Sequence, residues 1–408
     1  MSNDIPEDEI LIPLGPQHPA LKEPINFMIR AEGEIVVDAQ PRIGYVHRGI
    51  ERLAMERTYL KTAYLVERVC GICSAAHQGT YCMTVEELLD MEIPPRGEYI
   101  RTLVWELERL HSHSLWLGVA GHEIGFDTLF MYTWRDRELV MDILEMLSGN
   151  RVNYGMNKIG GVRYDVTDEM KNKILKAMDL LEKRFKDYKK KLSEEPTVLG
   201  RLVNVGILKK STAIKLSAVG PTLRASGVKA DIRKDDPYGI YDEIPFEVIS
   251  YDSCDLAARV FVRIDEFFES IKMIRWILNN LPDGPVYKRA PIRIPQGEAI
   301  CRNEAPRGEL MYYIKSDGKS NHPERVKIRT PTLANILSIG EMLKGSYLAD
   351  VPIIVAGIDP CISCMDRVMV VHEDTGKAEI WTDEKFRDYS RKWYKKNLKW
   401  VVEERWKK

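Results

Sequence analysis

Two short segments decide how this sequence is interpreted: residues 67–77 read ERVCGICSAAH, and residues 358–367 read IDPCISCMDR. Together they carry two Cys-x-x-Cys pairs, made of Cys70, Cys73, Cys361 and Cys364. Two thiolates at this spacing can chelate one soft metal ion, or they can form a redox-active dithiol. The long stretch of chain between the pairs argues against a local zinc ribbon, but it leaves open a zinc site assembled by the fold. The pattern therefore predicts a structural metal, a catalytic metal or a dithiol.

The overall composition narrows the class of protein. The chain has 408 residues, is 44% hydrophobic and carries 60 basic against 61 acidic side chains. Nucleic-acid-coating proteins and polybasic membrane binders need an excess of positive charge, so we expect no nucleic-acid partner. The acidic, polar start MSNDIPEDEI predicts no signal peptide, and no apolar run reaches the roughly 20 residues of a membrane helix.

The cysteine count favours reduced thiols. Seven cysteines are an odd number, which does not suit a disulfide scaffold and favours a reducing, cytoplasmic location. Cys82, Cys254 and Cys301 stand alone in the sequence. We expect each of these three to pack as a small hydrophobic side chain.

The spacing of apolar residues predicts an α+β fold that is mainly helical, with a core of long helices. Residues 9–48 alternate in the manner of strands and are expected to form a small N-terminal β-sheet. Helical spacing predicts helices at 49–69, 85–91, 97–118, 127–148, 168–192, 252–281 and 332–344, and over the last 25 residues. Further strands are predicted at 310–314 and 326–328, and a C-terminal β-hairpin is predicted to join 368–371 to 378–381.

Three regions are expected along the chain. Residues 1–48 are the N-terminal β-sheet region, residues 49–367 are the helical catalytic core with both motifs, and residues 368–408 are an extension of hairpin and basic helix. No repeat or low-complexity linker divides the sequence, so the regions are expected to interlock. The 41 residues after Arg367 include several aromatic side chains, which suits docking on a partner.

At this level of detail the sequence resembles a known family. Residues 68–77 and 359–367 resemble the two signature segments of the [NiFe] hydrogenase large subunit. Further segments resemble its energy-converting, membrane-bound branch: 15–24 (GPQHPALKEP), 44–49 (GYVHRG), 106–113 (ELERLHSH) and 304–310 (EAPRGEL). The same scaffold serves as the quinone-site subunit of respiratory complex I, which lacks the four cysteines. Their retention here favours a hydrogenase.

The resemblance implies a nickel–iron centre of composition NiFe(CN)2(CO). In this family each Cys-x-x-Cys supplies one terminal nickel ligand and one ligand that bridges nickel to iron. Cys70 and Cys361 are therefore the implied terminal ligands, and Cys73 and Cys364 the implied bridging ligands. Soft thiolates suit a soft, redox-active nickel. Cys361 is also a candidate base for the cleavage of dihydrogen.

The resemblance implies roles for five more residues. Glu23 matches a carboxylate that passes protons from the terminal thiolate, and Arg307 is implied to lie over the open metal site as a candidate base. His77, Arg68 and Asp359 are implied to orient the cysteines and the diatomic ligands. Without the resemblance, the simpler expectations are a solvated Glu23, a surface turn at Arg307, a buried His77 and a surface ion pair at Arg68.

Three assignments rest on weaker grounds. His111 and His113 are two residues apart on a predicted helix and point in different directions, so a core or capping role is expected and not a shared metal. His18 is a candidate for the pocket where relatives bind quinone. Glu51 matches a carboxylate that holds a second divalent ion, Mg²⁺, in some relatives, although Arg367 stands where those relatives have histidine.

The implied activity is the reversible reduction of protons to dihydrogen, with ferredoxin as electron donor. No clustered cysteines are left for an iron–sulfur cluster, so electrons are expected to arrive through partners. The implied partners are a small subunit with a [4Fe–4S] cluster, a further ferredoxin-like Fe–S subunit and antiporter-like membrane subunits that translocate ions, on the cytoplasmic side of the cell membrane. The alternatives are a metal-free coupling subunit like that of complex I and a structural zinc protein.

Overall fold

Three antiparallel strands open the chain in the computed structural model. They are β1 (Glu9–Leu14), β2 (Asn26–Glu32) and β3 (Ile35–Arg42), in the order β1-β2-β3. Phe27 and Ile29 of the central strand are almost fully buried, as their alternation predicts. The structure describes residues 9–365, 367, 370–371, 378–379, 381 and 383–405.

Long helices form most of the core. The helices are α1 (Ile50–Met55), α2 (Tyr59–Val66), α3 (Ser74–Leu88), α4 (Pro95–Glu123), α5 (Asp127–Ser148), α6 (Asp168–Glu194), α7 (Pro196–Leu202), α8 (Lys210–Lys215), α9 (Gly220–Arg224), α10 (Ile232–Asp235), α11 (Leu256–Asn279), α12 (Pro331–Leu343), α13 (Val351–Ala356) and α14 (Asp383–Arg405). Helix α4 packs against both α5 and α11, and most of its residues are buried. Pro95 at its first position suits a helix start because that position needs no backbone N–H donor. The predicted α+β fold with a helical core is confirmed.

Helix α3 is longer than its sequence pattern indicates. The periodicity predicts a helix only at 85–91, whereas the helix begins at Ser74, directly after the first Cys-x-x-Cys pair. Nearly every residue from Ser74 to Glu86 is buried, polar ones such as Gln78 and Thr80 included. A helix enclosed on all sides has no apolar stripe, so the 3.6-residue period is missing from its sequence.

A second antiparallel sheet lies beside α3. It consists of β6 (Gly297–Ala305), β7 (Gly308–Ser316) and β8 (Arg325–Arg329), in that order. Two short strand pairs complete the sheets: β4 (Asn157–Lys158) with β5 (Gly161–Val162), and β9 (Val370–Val371) with β10 (Ala378–Glu379). The predicted strands at 310–314 and 326–328 lie inside β7 and β8, and β6 was not predicted. Because Ala305 pairs with Gly308, the β6–β7 hairpin turns on two residues, Pro306 and Arg307.

The N-terminal sheet docks on the C-terminal half of the core. Val36 of β3 accepts a hydrogen bond from the Gly345 N–H at 2.8 Å and donates its own N–H to Ser346 at 2.9 Å. Gly340 of α12 lies so close to β3 that a Cβ there would stand 2.7 Å from the Ala39 carbonyl oxygen. Elements that are far apart in sequence therefore lie close together in the fold. They include β2, α3, the turn between β6 and β7, and the segment that follows α13.

The C-terminal extension contains the predicted hairpin strands and helix. Strands β9 and β10 pair antiparallel, and the predicted turn between them lies outside the described residues. Helix α14 exposes Tyr389, Trp393 and Tyr394. In the described part of the chain, no helix is both long enough and apolar enough to cross a membrane.

Candidate metal centre

The first Cys-x-x-Cys pair is built into the start of a helix. A short 3-10 turn, Glu67–Val69, ends at Cys70, and Cys73 is the residue that precedes α3. The Cys70 Sγ accepts the backbone N–H of Ile72 at 3.4 Å and that of Cys73 at 3.2 Å. Local backbone structure therefore sets the spacing of this pair.

A buried glutamate caps the same helix from behind. Glu108 of α4 accepts the backbone N–H of Ala75 at 2.6 Å and that of Ala76 at 2.9 Å. These N–H groups have no partner within α3, because a helix leaves its first donors free. Burial raises the pKa of Glu108 to about 8, although the two N–H donors oppose the rise.

The second pair reaches the site on irregular chain. After α13, Asp359 adopts a left-handed backbone conformation with φ of 55°, and a 3-10 turn spans Ile362–Cys364. The Cys361 N–H donates to Thr332 Oγ1 at 3.1 Å. Cys361 Sγ lies 3.3 Å from Cys70 Sγ, and the Cys364 thiol donates to the Cys361 carbonyl at 2.8 Å. The two pairs, distant in sequence, therefore meet in the fold.

Arg307 connects the two pairs from the tip of the β6–β7 hairpin. Its Nη1 lies 3.1 Å from Cys73 Sγ, its Nη2 lies 2.8 Å from Asp359 Oδ1, and its Nε donates to the Asp359 carbonyl at 2.7 Å. Gly308, with φ of 126°, follows it in a conformation that favours glycine. A Cβ on Gly220 would lie 2.4 Å from the Gly308 Cα, so both glycines are needed for this close approach.

Contacts within the thiol cluster shift the pKa values of Cys70, Cys73 and Cys361 in different directions. Hydrogen bonds from Cys361 and Cys73 hold the pKa of Cys70 well below the usual thiol range. The pKa of Cys73 is raised by its hydrogen bond to Cys70, and that of Cys361 by its hydrogen bonds to Cys364 and Cys70. The contacts within the cluster therefore favour the thiolate form at Cys70 and the thiol form at Cys73 and Cys361.

The residues present fit a soft metal centre in donor type and proximity. All four cysteines of the two pairs are buried in one cluster, and Cys70 and Cys361 are in direct contact. Asp359 Oδ2 is a buried carboxylate oxygen with no hydrogen-bond partner among the described residues, which is a feature of a site that lacks a group. No three His, Cys, Asp or Glu side chains of the described residues are yet arranged to hold a metal ion.

Two further predicted residues lie at this site. Glu23 accepts the Ser363 N–H at 2.9 Å and the Ser363 hydroxyl at 2.5 Å, which puts its carboxylate against the middle of the second Cys-x-x-Cys pair. His77, one turn into α3, has its Nδ1 2.7 Å from the Tyr312 hydroxyl. Burial lowers the pKa of His77 to about 4, so its ring is neutral near pH 7.

Arg68 and His18 lie apart from the thiols in this structure. The Arg68 side chain is 52% exposed, and it donates to Glu67 at 2.7 Å and to the Tyr64 carbonyl at 2.8 Å. The pair differs from the surface ion pair expected without the resemblance, because the Glu67 side chain is buried. His18 is exposed, and its Nδ1 accepts the Ala20 N–H at 3.2 Å.

Residues 106–113 form part of a buried ion network. His113 Nε2 lies 3.0 Å from Glu266, and His111 Nδ1 accepts from Arg137 Nε at 3.1 Å, so the two histidines do face different partners. Arg224 bridges Glu266 at 2.7 Å and Glu304 at 2.8 Å. Since Glu304 lies on β6 just before the hairpin tip, the network holds the strand that carries Arg307.

Glu51 does not fit a second divalent ion here. Its Oε1 accepts the Ile328 N–H at 2.8 Å and the Arg367 Nη1 at 2.9 Å, and its Oε2 lies 3.8 Å from Arg325. Two guanidinium groups and a backbone donor therefore converge where a cation would need oxygen ligands. The expected Mg²⁺ ligand is an ion-pair partner in this structure.

An apolar cavity of about 450 Å³ opens beside the thiols. One end is lined by the predicted site residues Glu23, Arg307, Asp359 and Cys361. The rest of the wall is mainly apolar, with Trp116, Trp134 and Phe130 among its side chains. The Lys22–Glu123 ion pair, at 2.5 Å, also lines the cavity. A small molecule could reach the thiols by this route.

Sequence reasoning missed two residues of the site, Glu108 and Arg48. Arg48 donates to the carbonyls of Arg68 and Val69 at 2.7 Å each, and to that of Ser363 at 2.6 Å. It belongs to the segment GYVHRG, so a signal was present, but nothing in that segment says which carbonyls the guanidinium reaches. Glu108 lay within a predicted helix and had no local signal.

The comparisons with known proteins agree with this geometry. Residues 123–293 and 287–367 match the family described as "Respiratory-chain NADH dehydrogenase, 49 Kd subunit", and residues 48–118 match "Nickel-dependent hydrogenase". The chain belongs to the family of hydrogenase large subunits and complex I 49 kDa subunits. The resemblance drawn from the two cysteine motifs is thereby confirmed.

Three members show how this family varies. The chain is 41% identical to membrane-bound hydrogenase subunit alpha of Pyrococcus furiosus, over 92% of this chain and 91% of that protein. It is 40% identical to the carbon monoxide-induced hydrogenase of Rhodospirillum rubrum, over 87% of this chain and 99% of that protein. A solved chain of the membrane-bound sulfane sulfur reductase, an archaeal respiratory membrane complex, is 33% identical, with a TM-score of 0.85, and the match covers 89% of this chain and 100% of that one. Two of these three members are named hydrogenases, and two are named as membrane-bound.

Proposed function

We propose that this chain is the catalytic large subunit of an energy-converting [NiFe] hydrogenase, which reduces protons to dihydrogen reversibly. One observation carries the proposal: the two Cys-x-x-Cys pairs meet, with Cys70 Sγ 3.3 Å from Cys361 Sγ in a buried cluster of thiols. A relative at 41% identity is named a membrane-bound hydrogenase subunit, which supports the same reading.

The four cysteines would hold a nickel–iron centre, with Cys70 and Cys361 as terminal ligands and Cys73 and Cys364 as bridging ligands. When bound, such a centre would split dihydrogen heterolytically and exchange electrons. Because metal binding needs thiolates, loading would release the protons that the free thiols hold. The lowered pKa of Cys70 favours its thiolate form, the form that binds a metal.

The surrounding side chains would manage charge and protons. Arg307, held by Asp359 at 2.8 Å, keeps a positive charge 3.1 Å from Cys73 and would balance the charge of the thiolates. Glu23 lines the cavity next to Cys361, and its carboxylate oxygens would take up and pass on protons. His77 is neutral and anchored to Tyr312, so it would orient its surroundings without adding charge.

Electrons would have to come from partner subunits. Outside the two pairs, Cys82, Cys254 and Cys301 are separate thiols and do not form the ligand set of an iron–sulfur cluster. The proposed partners are a small subunit with a [4Fe–4S] cluster, a ferredoxin-like Fe–S subunit supplied by ferredoxin, and antiporter-like membrane subunits that translocate ions. The chain would sit on the cytoplasmic side of the membrane. The names of two relatives, both membrane-bound, support a place in a membrane complex.

A second candidate is a metal-free coupling subunit. One observation favours it: residues 123–293 and 287–367 match the 49 kDa subunit of respiratory NADH dehydrogenase. In that role the cavity next to Glu23 and Arg307 would serve proton coupling only.

The experiment that separates the candidates is metal analysis of the purified native complex. Nickel and iron near one each, with infrared bands from bound carbonyl and cyanide, support the hydrogenase. The absence of both metals from an active, intact complex supports the coupling subunit, and zinc alone supports a structural zinc protein. The same preparation is assayed with a sulfane sulfur donor, since one structural relative is a sulfane sulfur reductase. A Cys301→Ser complex serves as the control.

A further inference from the structure

The segment that directly follows α13 and carries the second Cys-x-x-Cys pair has little regular structure to hold the pair in place. Only a 3-10 turn, Ile362–Cys364, spans it. Its position near the first pair must therefore come from tertiary contacts. Two of these contacts are made by the side chains of Arg48 and Arg367. Both contacts involve residues 48–51, the segment at the start of α1.

Arg48 reaches across both pairs with one side chain. Its Nη1 donates to the Arg68 carbonyl, and its Nη2 donates to the carbonyls of Val69 and Ser363, all between 2.6 and 2.7 Å. Arg68 and Val69 lead into the first pair, and Ser363 lies inside the second. A planar guanidinium with five fixed donors can span three acceptors in this way, which an ammonium group cannot do with the same geometry.

Arg367 makes the reverse connection. It follows the second pair by three residues, and its Nη1 lies 2.9 Å from Oε1 of Glu51, which is three residues after Arg48. Glu51 is 8% exposed and also accepts the Ile328 N–H of β8 at 2.8 Å, so the carboxylate is anchored to the second sheet. Gly49, with φ of 69°, separates the loop with Arg48 from the helix with Glu51.

We propose that Arg48, Glu51 and Arg367 form a clasp that positions the second Cys-x-x-Cys pair against the first. Arg48 extends from the 48–51 segment to the second pair, and Arg367 extends from just after the second pair to Glu51 in that segment. These three are positioning residues, since none of them contacts a thiol in the contacts described above. The inference rests on the proposed function only in treating the four thiols as the site.

The test measures how closely the thiols of the two pairs approach in the full chain without metal. Diamide oxidises two adjacent thiols to a disulfide; the thiols lose two protons and two electrons, and diamide takes them up to become its hydrazine. Disulfides within a pair (70–73, 361–364) need no clasp, whereas the Cys70–Cys361 disulfide needs the two pairs to meet. Peptide mass spectrometry gives the ratio of the second kind to the first.

We expect Arg48→Gln, Glu51→Gln and Arg367→Gln each to lower this ratio at least tenfold. Arg52→Gln is the matched control, because Arg52 lies on the same helix and its side chain, which is 42% exposed, pairs with Glu56 at 2.9 Å. Its ratio should equal that of the wild type. A ratio within twofold of the wild type in Arg48→Gln and Glu51→Gln overturns the clasp.

A double variant tests the ion pair itself. If Glu51 and Arg367 act through each other, Glu51→Gln with Arg367→Gln should lower the ratio no further than the worse single variant. Additive losses overturn that part of the proposal. Circular dichroism and urea midpoints check folding. Should Arg48→Gln fail to fold, Arg48→Lys keeps the charge and should still lower the ratio at least threefold; an unchanged ratio again overturns the clasp.

Failure of the clasp and failure of the proposed function are distinguishable. If the native complex holds no nickel, the proposed function fails, but the disulfide ratio still reports the clasp. If the complex has carbonyl and cyanide bands that do not move in Arg48→Lys, and the ratio does not move either, the clasp fails alone. A structural role elsewhere in the core would shift neither the bands nor the ratio.

Discussion

The two Cys-x-x-Cys pairs have the same local sequence spacing but are held in different ways. The first pair lies at the start of α3, where backbone N–H groups bind Cys70 and the Glu108 carboxylate caps the helix. The second pair lies on irregular chain and is held by side chains from other elements, such as Thr332 and Arg307. One half of the site is therefore part of the core, whereas the other half is docked on it.

Removing one cysteine from either half tests whether both halves are needed to hold the metals, and this change should have the greatest consequence. Cys364→Ala should abolish nickel retention and hydrogen evolution, because one of the four proposed metal ligands is lost, and Cys73→Ala should do the same. The two should differ in stability. Cys73→Ala leaves the Arg307 Nη1 donor without its sulfur acceptor, which costs about 1–3 kcal/mol for a buried donor, whereas Cys364→Ala removes only a thiol donor from the docked half. Metal content, hydrogen evolution and urea unfolding check these results.

Retained hydrogen evolution in Cys364→Ala would disprove its assignment as a ligand. The control is Cys301→Ala on β6, which lies outside the cluster of the four thiols. This variant should keep both metal and activity.

Arg307→Met should be the most destabilising change at the join between the halves. Arg307 is the ion partner of Asp359, and both are buried. Removing one partner of a buried ion pair leaves the other charge uncompensated and costs about 3–5 kcal/mol. The matched control is Arg302→Met on the same hairpin, where a half-exposed pair with Asp236 contributes about 0–1 kcal/mol. If urea unfolding finds equal losses for the two variants, Arg307 does not join the halves.

The first half should respond to pH through Glu108. Burial raises the pKa of Glu108 in the folded chain to about 8, whereas an unfolded glutamate ionises near pH 4.3. A group whose pKa is raised by folding contributes stability at low pH and loses it as pH rises towards the folded value. The free energy of unfolding of the wild type should therefore fall between pH 5 and pH 8 relative to Glu108→Gln. Each unit of pKa displacement corresponds to about 1.4 kcal/mol.

Urea unfolding of the metal-free chain at several pH values measures this difference. Glu92→Gln, at an exposed position, is the control and should run parallel to the wild type. A Glu108→Gln curve that also runs parallel to the wild type would mean that Glu108 is already ionised in the folded chain at pH 5.

The sequence predicted the residues of the site better than the way they are held. Glu23, His77, Arg307 and Asp359 were found through motifs, and the structure brings all four to the thiols. Arg48 acts through backbone carbonyls from three segments, which no local pattern encodes. In the sequence Glu108 resembles any other helical glutamate. Only the packing of α3 against α4 shows that it caps the start of α3.

The elements that were missed or shortened have a common physical cause. Strand β6 buries the polar residues Asn303 and Glu304, so the alternation that predicts a strand is broken. Helix α3 buries polar residues all round, so its period is lost as well. In both cases the burial of polar side chains hides the pattern that short-range reasoning uses. The same burial is what lets these elements flank the site.

Glu23→Gln should change proton exchange without releasing the metals. A glutamine keeps one acceptor oxygen for Ser363, so the second pair stays docked, but it cannot take up a proton as a carboxylate does. The hydrogen–deuterium exchange to be measured is the isotope exchange of dihydrogen at the metal centre. It should slow at least tenfold, which corresponds to about 1.4 kcal/mol on the barrier. The exposed Glu32→Gln serves as the control. Normal exchange in Glu23→Gln would remove Glu23 from the proton route.

A single hydrogen bond from Cys361 to Thr332 helps to hold the docked half, and its removal should have the least consequence. Thr332 Oγ1 accepts the Cys361 N–H at 3.1 Å, and Thr332→Val removes the acceptor at nearly constant volume. The free energy of unfolding should drop by about 1 kcal/mol, the typical contribution of one such bond. Thr330 is an unusually close control, because it is just as buried but its hydroxyl has no hydrogen-bond partner among the described residues. Thr330→Val should therefore cost nothing measurable, and equal costs at the two positions would show that packing, and not the bond to Cys361, sets the loss.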